Sequence, residues 1–225
     1  MRGQDLKSVL RIIVGLAVCT ALAGLAGLAG CNIIGAGYVL VKGPEKTPAQ
    51  FTLPKDRPAV VFVDDINNVL SRRTLRTQIA KVAQEELLKQ GKLTNVIDAS
   101  AAMQVAQRES AGQPLDISSL GRAVQAEVVV YVHMDSFSLS SDGQTFSPQA
   151  RAHVKVIDAV TRKRLWPEKV EGHPLAVTLR LASGTVPRSA TEQVNALNAL
   201  ADRTGLEVAR LFFEYETRES IRQGN

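Results

Sequence analysis

The sequence predicts an α/β fold in which helices pack on a mixed β-sheet. Two observations lead to this class. Short valine-rich runs recur along the chain, as expected of strands, and segments with helical periodicity lie between and after them. The resulting order, β-α-β-α-α-β-β-β-β-α, is typical of a sheet with helices packed on it.

The first half of the predicted domain alternates strands and helices. Residues 59–63 (AVVFV) are a short apolar run typical of a buried strand, which ends at Asp64 and Asp65. An amphipathic helix follows over residues 70–90, and Gly91 stops it. We expect three further elements: a strand over 95–98, a helix over 100–108, and a helix through residue 126 that Asp116 caps.

The second half contains consecutive strands. Residues 127–132 form the clearest one, which continues towards residue 139 and a loop around Asp142 and Gly143. The next strand alternates apolar and polar side chains, which predicts one buried and one solvated face: Ala150, Ala152, Val154 and Val156 against Arg151, His153 and Lys155. A turn at 161–162 leads to a hairpin strand over 164–166, and residues 176–181 form the last strand.

A long C-terminal helix closes the domain. Ser189 and Glu192 have the spacing of a capping box, in which each side chain bonds the backbone amide of the other residue. The apolar stripe comprises Val194, Leu197, Leu200, Val208, Leu211, Phe212 and Tyr215. We therefore place an α/β domain at 58–216 and a C-terminal tail at 217–225.

Residues 1–30 have the three parts of a secretory signal peptide: basic residues near the start, an apolar stretch over 12–22, and small residues before a cysteine. Leu28-Ala29-Gly30-Cys31 resembles the lipobox of bacterial lipoproteins. The resemblance implies that the lipoprotein signal peptidase recognises Leu28, Ala29 and Gly30, and that the membrane anchor is a covalent lipid on Cys31. Residues 31–57 would then be a lipidated N-terminus and a tether rich in proline and charge.

An uncleaved membrane anchor is the alternative for this segment, because residues 12–41 carry no charge and are long enough to span a bilayer. Glycine interruptions and the small residues before Cys31 favour cleavage. Either anchor places the domain outside the cytoplasm. Because an aspartate after the cysteine commonly retains a lipoprotein in the inner membrane, Asn32 predicts an outer-membrane location facing the periplasm.

Composition narrows the possible partners. Cleavage would lower the net charge from +5 to +3, because residues 1–30 carry three basic residues and one acidic residue. The basic sequence is therefore a weak argument for nucleic acid. We expect the basic cluster at 72–76 to form a solvated helix face and the one at 162–164 to keep a hairpin soluble. Neither has the interleaved aromatic side chains that stack on bases, so no nucleic-acid partner is expected.

Candidate catalytic or metal-ligating residues are few. With a hairpin centred on Gly143, His133 and His153 face each other across two strands, where metal ligands could meet. No third ligand is evident, so we expect two sheet histidines, no metal and no cofactor. Asp64 and Asp65 point to opposite faces of a strand and cannot act as one carboxylate pair. Motifs of serine hydrolases, zinc peptidases and nucleotide-binding enzymes do not occur, so no enzymatic activity is expected.

Two segments resemble a known superfamily of envelope proteins. Residues 125–131 (QAEVVVY) have its pattern of alanine, acid and apolar strand, and residues 156–166 (VIDAVTRKRLW) have its hairpin with a threonine turn. The superfamily includes the N-terminal domain of the Tol–Pal translocation protein, lipoprotein activators of penicillin-binding proteins, and the curli secretion channel. The chain is most similar to uncharacterised bacterial lipoproteins of that architecture.

The resemblance implies a sandwich like the Tol N-terminal domain. It also implies a non-catalytic module that binds or assembles with an envelope protein, or with further copies of itself. The alternative is a component of an oligomeric secretion channel of the curli-exporter type. Such a channel needs alternating membrane strands of about ten residues. Residues 136–147 at the hairpin tip are mostly polar, which favours the binding module.

Overall fold

The chain folds as a mixed β-sheet with helices on both sides, which confirms the predicted α/β class. The computed structural model describes residues 45–108, 116–140, 142, 144–179 and 187–217. The strands are β1 (Lys46–Thr47), β2 (Ala59–Asp64), β3 (Val128–Ser138), β4 (Gln149–Asp158), β5 (Arg164–Trp166), β6 (His173–Thr178) and β7 (Tyr215–Glu216). The helices are α1 (Arg73–Lys89), α2 (Ala99–Arg108), α3 (Ile117–Ala123) and α4 (Ala190–Arg210).

Five strands form the central sheet, in which β4 takes a central place. β3 lies on one side of β4, and β5 and β6 follow one another along its other side. β2 pairs with β3 in parallel, whereas the other pairs are antiparallel, so the sheet is mixed. β1 and β7 form a separate two-stranded ribbon.

One face of the sheet is completely covered by α1 and α4, and we call it the covered face. Its side chains on β3 and β4 are at most 2% exposed: Val128, Val130, Val132, Met134, Ala150, Ala152, Val154 and Val156. α1 and α4 pack closely, because a Cβ on Gly205 of α4 would lie 2.5 Å from the carbonyl oxygen of Ile79. Burial of this apolar layer stabilises the fold by about 25 cal/mol per Å².

The opposite face is covered only in part. α3 packs on it through Gly121, where a Cβ would lie 2.7 Å from Cγ2 of Val129. Along β3 the exposure rises from 0% at Val129 to 9% at Tyr131, and the His133 side chain is 27% exposed. The alternation predicted for β4 is confirmed, because its solvated side chains all lie on this face.

The strand predicted over 95–98 is wrong. Only an isolated parallel bridge between Val96 and Ala59 forms there. The side chain of Asp98 accepts the amide of Ser100 at 2.7 Å, which turns the chain directly into α2 before a strand can extend.

α3 is shorter than predicted. It ends at Ala123 because Gln125 adopts a φ of 62° and the amide of Ala126 bonds back to the carbonyl of Gly121. The side chain of Asp116 makes no capping hydrogen bond, so that cap was also predicted wrongly. By contrast, the capping box of Ser189 and Glu192 at the start of α4 is confirmed in both directions.

Part of the segment predicted as a tether packs against the domain. The amide of Phe51 donates to the carbonyl of Leu211, and its ring stacks on Trp166 with centroids 6.0 Å apart. Leu53 is buried. The compact unit begins at Lys46, and we call residues 46–54 the strap.

Candidate functional site

The open face is the part of the sheet that α2 and α3 leave exposed. It comprises the side chain of Asp64 at the end of β2 and alternate side chains of two further strands: Tyr131, His133, Asp135, Ser136 and Ser138 on β3, and Gln149, Arg151, His153 and Lys155 on β4. Two imidazoles and two carboxylates meet on this surface, and each of these side chains is about one-quarter to one-third exposed.

The sheet register places His133 directly opposite His153, which confirms the predicted pair. The predicted hairpin had no bulge, but the register shifts between Met134 and Ser136, so that Asp135 is an extra residue in β3. The bulge lies on the loop side of the histidine pair and leaves their register unchanged. It directs the Asp135 carboxylate towards both rings, 2.7 Å from Nδ1 of His153 and 3.8 Å from Nε2 of His133.

A second carboxylate contacts the cluster from β2. The hydroxyl of Tyr131 donates to Oδ2 of Asp64 at 2.6 Å, and Nδ1 of His133 lies 3.9 Å from the same oxygen. Burial, followed by this hydrogen bond, raises the pKa of Tyr131 well above its usual range. The hydroxyl therefore remains a donor at physiological pH and holds Asp64 in place.

Arg76 reaches the same corner from α1. Its Nε donates to the carbonyl of Val63 at 2.9 Å, its guanidinium lies 5.7 Å from the ring centroid of Phe62, and one terminal nitrogen lies 4.0 Å from Asp64. Arg72 donates to the side chain of Asn198 on α4. Two arginines of the cluster at 72–76 are thus used inside the fold, and the expectation of a wholly solvated helix face is wrong for them.

Asp65 diverges from Asp64, as predicted for adjacent strand residues. It is 9% exposed, and its carboxylate accepts the amides of Val69 at 2.7 Å and Leu70 at 3.1 Å. This carboxylate therefore organises the entry to α1.

The third histidine takes no part in the cluster. His173 begins β6 and stacks on Trp166 with centroids 4.8 Å apart. Burial lowers the pKa of His173. Trp166 also contacts Phe212 edge-on at 5.9 Å, so this tryptophan packs between the strap, β6 and the end of α4.

The open-face cluster brings hydrogen-bond donors and acceptors together on one surface. In the described part of the chain, no serine, threonine or cysteine side chain is hydrogen-bonded to His133 or His153. Across the same residues, no group of three or more histidine, cysteine, aspartate or glutamate side chains is arranged to hold a metal ion. Sequence reasoning missed Tyr131 and the orientation of Asp135, because a bulge leaves no pattern in the sequence.

A cavity of about 840 Å³ lies between α1, α4 and the β1–β7 ribbon. Charged side chains on its walls pair with one another: Lys46 with Glu214 at 2.8 Å, and Lys89 with Glu86 at 3.3 Å. These pairs neutralise much of the charge that a ligand would meet.

The predicted anchor residues, Leu28, Ala29, Gly30 and Cys31, lie outside the described residues, as do Gly143 and the end of the strand predicted over 176–181. Within the described ranges, none of the helices has the length and apolar character needed to cross a bilayer.

No protein-family model and no curated protein matches the chain. Among solved structures, the PelC dodecamer from Paraburkholderia phytofirmans is similar over 74% of this chain and 94% of its own, with 14% identity and a TM-score of 0.38. The LpoB C-terminal domain from Salmonella enterica is similar over 63% and 90%, with 13% identity and a TM-score of 0.31. TolB from Acinetobacter baumannii is similar over 73% of this chain and 31% of its own, with 12% identity and a TM-score of 0.26. The Tol protein, which the two sequence motifs resemble, is among the matched structures.

Proposed function

We propose that the protein is a lipid-anchored, non-catalytic module of the cell envelope that binds an envelope protein through its open face. The observation that carries the proposal is the cluster of polar side chains on this face. Asp64 accepts the hydroxyl of Tyr131 at 2.6 Å, and Asp135 lies 2.7 Å from Nδ1 of His153. His133 lies within 4 Å of both carboxylates. Donors and acceptors that are already ordered lose little conformational entropy when a partner binds.

The composition of the network favours binding over catalysis. The close contact between His153 and Asp135 could assist a proton transfer. A nucleophilic mechanism would further need a hydroxyl or thiol within hydrogen-bond reach of an imidazole. The described residues provide none, so the cluster is better suited to hydrogen bonding with the polar surface of a protein.

Site-specific photo-crosslinking in intact cells tests the binding face. A crosslinker at Arg151, which is exposed on the open face, should capture one reproducible envelope protein or a second copy of the chain. The matched control places the crosslinker at Lys81, whose side chain is 71% exposed on α1. His153→Ala should reduce capture at position 151. Equal capture at both positions, or discrete conductance steps in planar bilayers, would contradict the proposal.

The anchor is proposed from the sequence: a lipid on Cys31 after cleavage behind Gly30. The compact unit that begins at Lys46 has its own apolar core, so Cys31→Ala should abolish labelling with radioactive palmitate while cooperative unfolding persists. Wild type should also shift in size when the lipoprotein signal peptidase is inhibited. Unlabelled wild-type protein that retains residues 1–30 would favour the uncleaved anchor.

The membrane of residence is proposed from Asn32. Density-gradient fractionation should place the protein with outer-membrane markers, and protease added to intact cells should leave it uncut because it faces the periplasm. Co-migration with inner-membrane markers would contradict this location.

A further inference from the structure

We propose that the tip of the β4–β5 hairpin and the turn after β5 bind the anionic phospholipid headgroups of the membrane. We call residues 160–165 and 168–171 the hairpin patch. The proposal rests on the lipid anchor proposed above, which would hold the domain beside a bilayer.

The hairpin patch is strongly basic. Its basic side chains are Arg162, Lys163, Arg164 and Lys169, and its acidic ones are Glu168 and Glu171. Arg122 of the adjoining α3 adds a fifth basic side chain to this surface, since its guanidinium donates to the carbonyl of Ala159 at 3.0 Å. All seven residues are exposed, and five basic and two acidic groups leave a net charge of +3. That equals the charge expected of the whole chain after residues 1–30 are removed. Within the described residues, Arg162 and Lys163 form no ion pair, so they remain available for phosphate groups.

Exposed apolar side chains lie among these charges. Val160, Leu165 and Val170 are 61%, 37% and 68% exposed. Only two other large apolar residues in the described ranges are exposed, Ile66 and Leu88. Basic and aliphatic side chains exposed together suit an anionic bilayer surface, where cations contact phosphates and aliphatic groups enter the interface. An acidic protein surface that lacks apolar groups would pair with the cations and leave the aliphatic side chains in water.

Hydrogen bonds fix the shape of the patch. The guanidinium of Arg164 donates to the carbonyls of Glu168 at 3.0 Å and Val170 at 3.3 Å, which holds the turn after β5 against the hairpin. At the hairpin base, Asp158 accepts the amides of Val160 at 2.9 Å and Thr161 at 2.8 Å. The basic and apolar groups are therefore presented together.

The patch lies beside the part of the chain that leads to the anchor. Trp166, which follows Leu165 on β5, stacks on Phe51 of the strap. Fourteen residues lie between Cys31 and Lys46, and a fully extended chain of that length spans at most about 50 Å. A lipid on Cys31 would thus keep the strap, and the hairpin beside it, within about 50 Å of the bilayer.

A fluorescence experiment on the full-length lipidated protein tests the proposal. Val170→Cys, labelled with an environment-sensitive dye, should show a blue shift and a several-fold rise in emission in vesicles containing phosphatidylglycerol. Vesicles of phosphatidylcholine alone should give no such change, and high salt should reverse it. Ile66→Cys, 64% exposed after β2, is the control site and should stay unchanged.

Charge reversal identifies the groups responsible. Arg162→Glu/Lys163→Glu should abolish the response, whereas Lys81→Glu/Lys89→Glu makes the same charge change on α1 and should preserve it. A silent dye at position 170, an equal response at position 66, or a response to acidic proteins but not to phosphatidylglycerol would overturn the proposal. Vesicle flotation distinguishes failure of the proposed anchor from failure of the hairpin proposal. Protein that fails to float contradicts the anchor. Protein that floats with a silent dye contradicts only the binding of headgroups by the hairpin patch.

Discussion

The covered and open faces of the central sheet come from the same strands but have opposite characters. On β4, Val154 points to the covered face and is fully buried, while its neighbour His153 points to the open face with one-third of its side chain exposed. Alternation along a strand makes both faces at once. We expect substitutions on the covered face to change stability, and substitutions on the open face to change binding with little cost in stability.

The largest effect is expected where the covering helices meet. Gly205→Ala adds a methyl group 2.5 Å from the carbonyl oxygen of Ile79 and 2.8 Å from Cβ of Val82, so α1 and α4 must separate. The free energy of unfolding in urea should fall by about 3 kcal/mol. Asn195→Ala, on the exposed side of α4, should change it by less than about 0.5 kcal/mol. Equal stability of the two variants would contradict the close packing of the covered face.

A smaller loss is expected at the end of the sheet. Arg57 donates to Asp158 at 2.9 Å and to Glu127 at 2.7 Å. Arg57→Ala should lower the free energy of unfolding by about 2 kcal/mol, because hydrogen bonds to charged groups are lost and Asp158 stays buried. Arg73→Ala, exposed at the start of α1, is the control and should be nearly neutral.

The ion pair between Arg57 and Asp158 also predicts that the free energy of unfolding depends on pH. The hydrogen bond from Arg57, assisted by the amides of Thr161 and Val160, lowers the pKa of Asp158 below its ordinary 3.8. This contribution to stability is present above pH 3.8 and is lost as the pH falls through the lower folded value. The stability difference between wild type and Arg57→Ala should therefore narrow in acid, and a constant difference across that range would contradict the assignment.

His173 adds a weaker pH effect on the covered side. Because burial lowers its pKa below 6.5, the unfolded chain binds a proton that the folded chain resists. Stability should be full above pH 6.5 and decline as the pH falls through the lower folded pKa. Solvent screening of the partly exposed ring keeps the effect below about 1 kcal/mol. His173→Phe retains an aromatic ring against Trp166 and should flatten the thermal-melting profile between pH 5 and 7; an unchanged profile would exclude His173 as the cause.

The smallest effect on stability is expected on the open face. His153→Ala removes a partly exposed ring and its contact with Asp135, so the free energy of unfolding should change by less than about 1 kcal/mol. Capture of the partner from position 151 should nevertheless be reduced. Val154→Ala is the matched control, since it should cost about 2 kcal/mol and preserve capture. If both neighbours affect capture equally, the two faces do not divide binding from stability.

Most of the sheet and the long helices follow from local sequence patterns. The alternation on β4, the buried run of β2 and the capping box at Ser189 were all predictable, because each depends on residues within a few positions of one another. The wrong predictions concern two places where a single residue redirects the backbone. Asp98 ends the bridge at Val96, and Gln125 in a left-handed conformation ends α3 early.

The candidate site was predictable only in part. The pairing of His133 with His153 followed from the hairpin centre. The position of the Asp135 carboxylate depends on the bulge in β3. The position of Asp64 depends on β2 lying beside β3 in the sheet. The periodicity of a single strand reveals neither feature. The packing of the strap against Trp166 was likewise hidden, because residues 46–54 carry no periodic pattern of their own.

By itself, the sequence determined the fold class, most of the elements, the two faces of β4 and the lipobox-like motif, which remains a prediction for Cys31. Only the tertiary structure decided how two similar basic clusters are used. Arg72 and Arg76 turn to partners on α4 and β2, while Arg162 and Lys163 stay in solvent. The physical reason is that periodicity and capping depend on neighbours along the chain, whereas the partner of a long charged side chain is set by atoms that only folding brings within hydrogen-bonding distance.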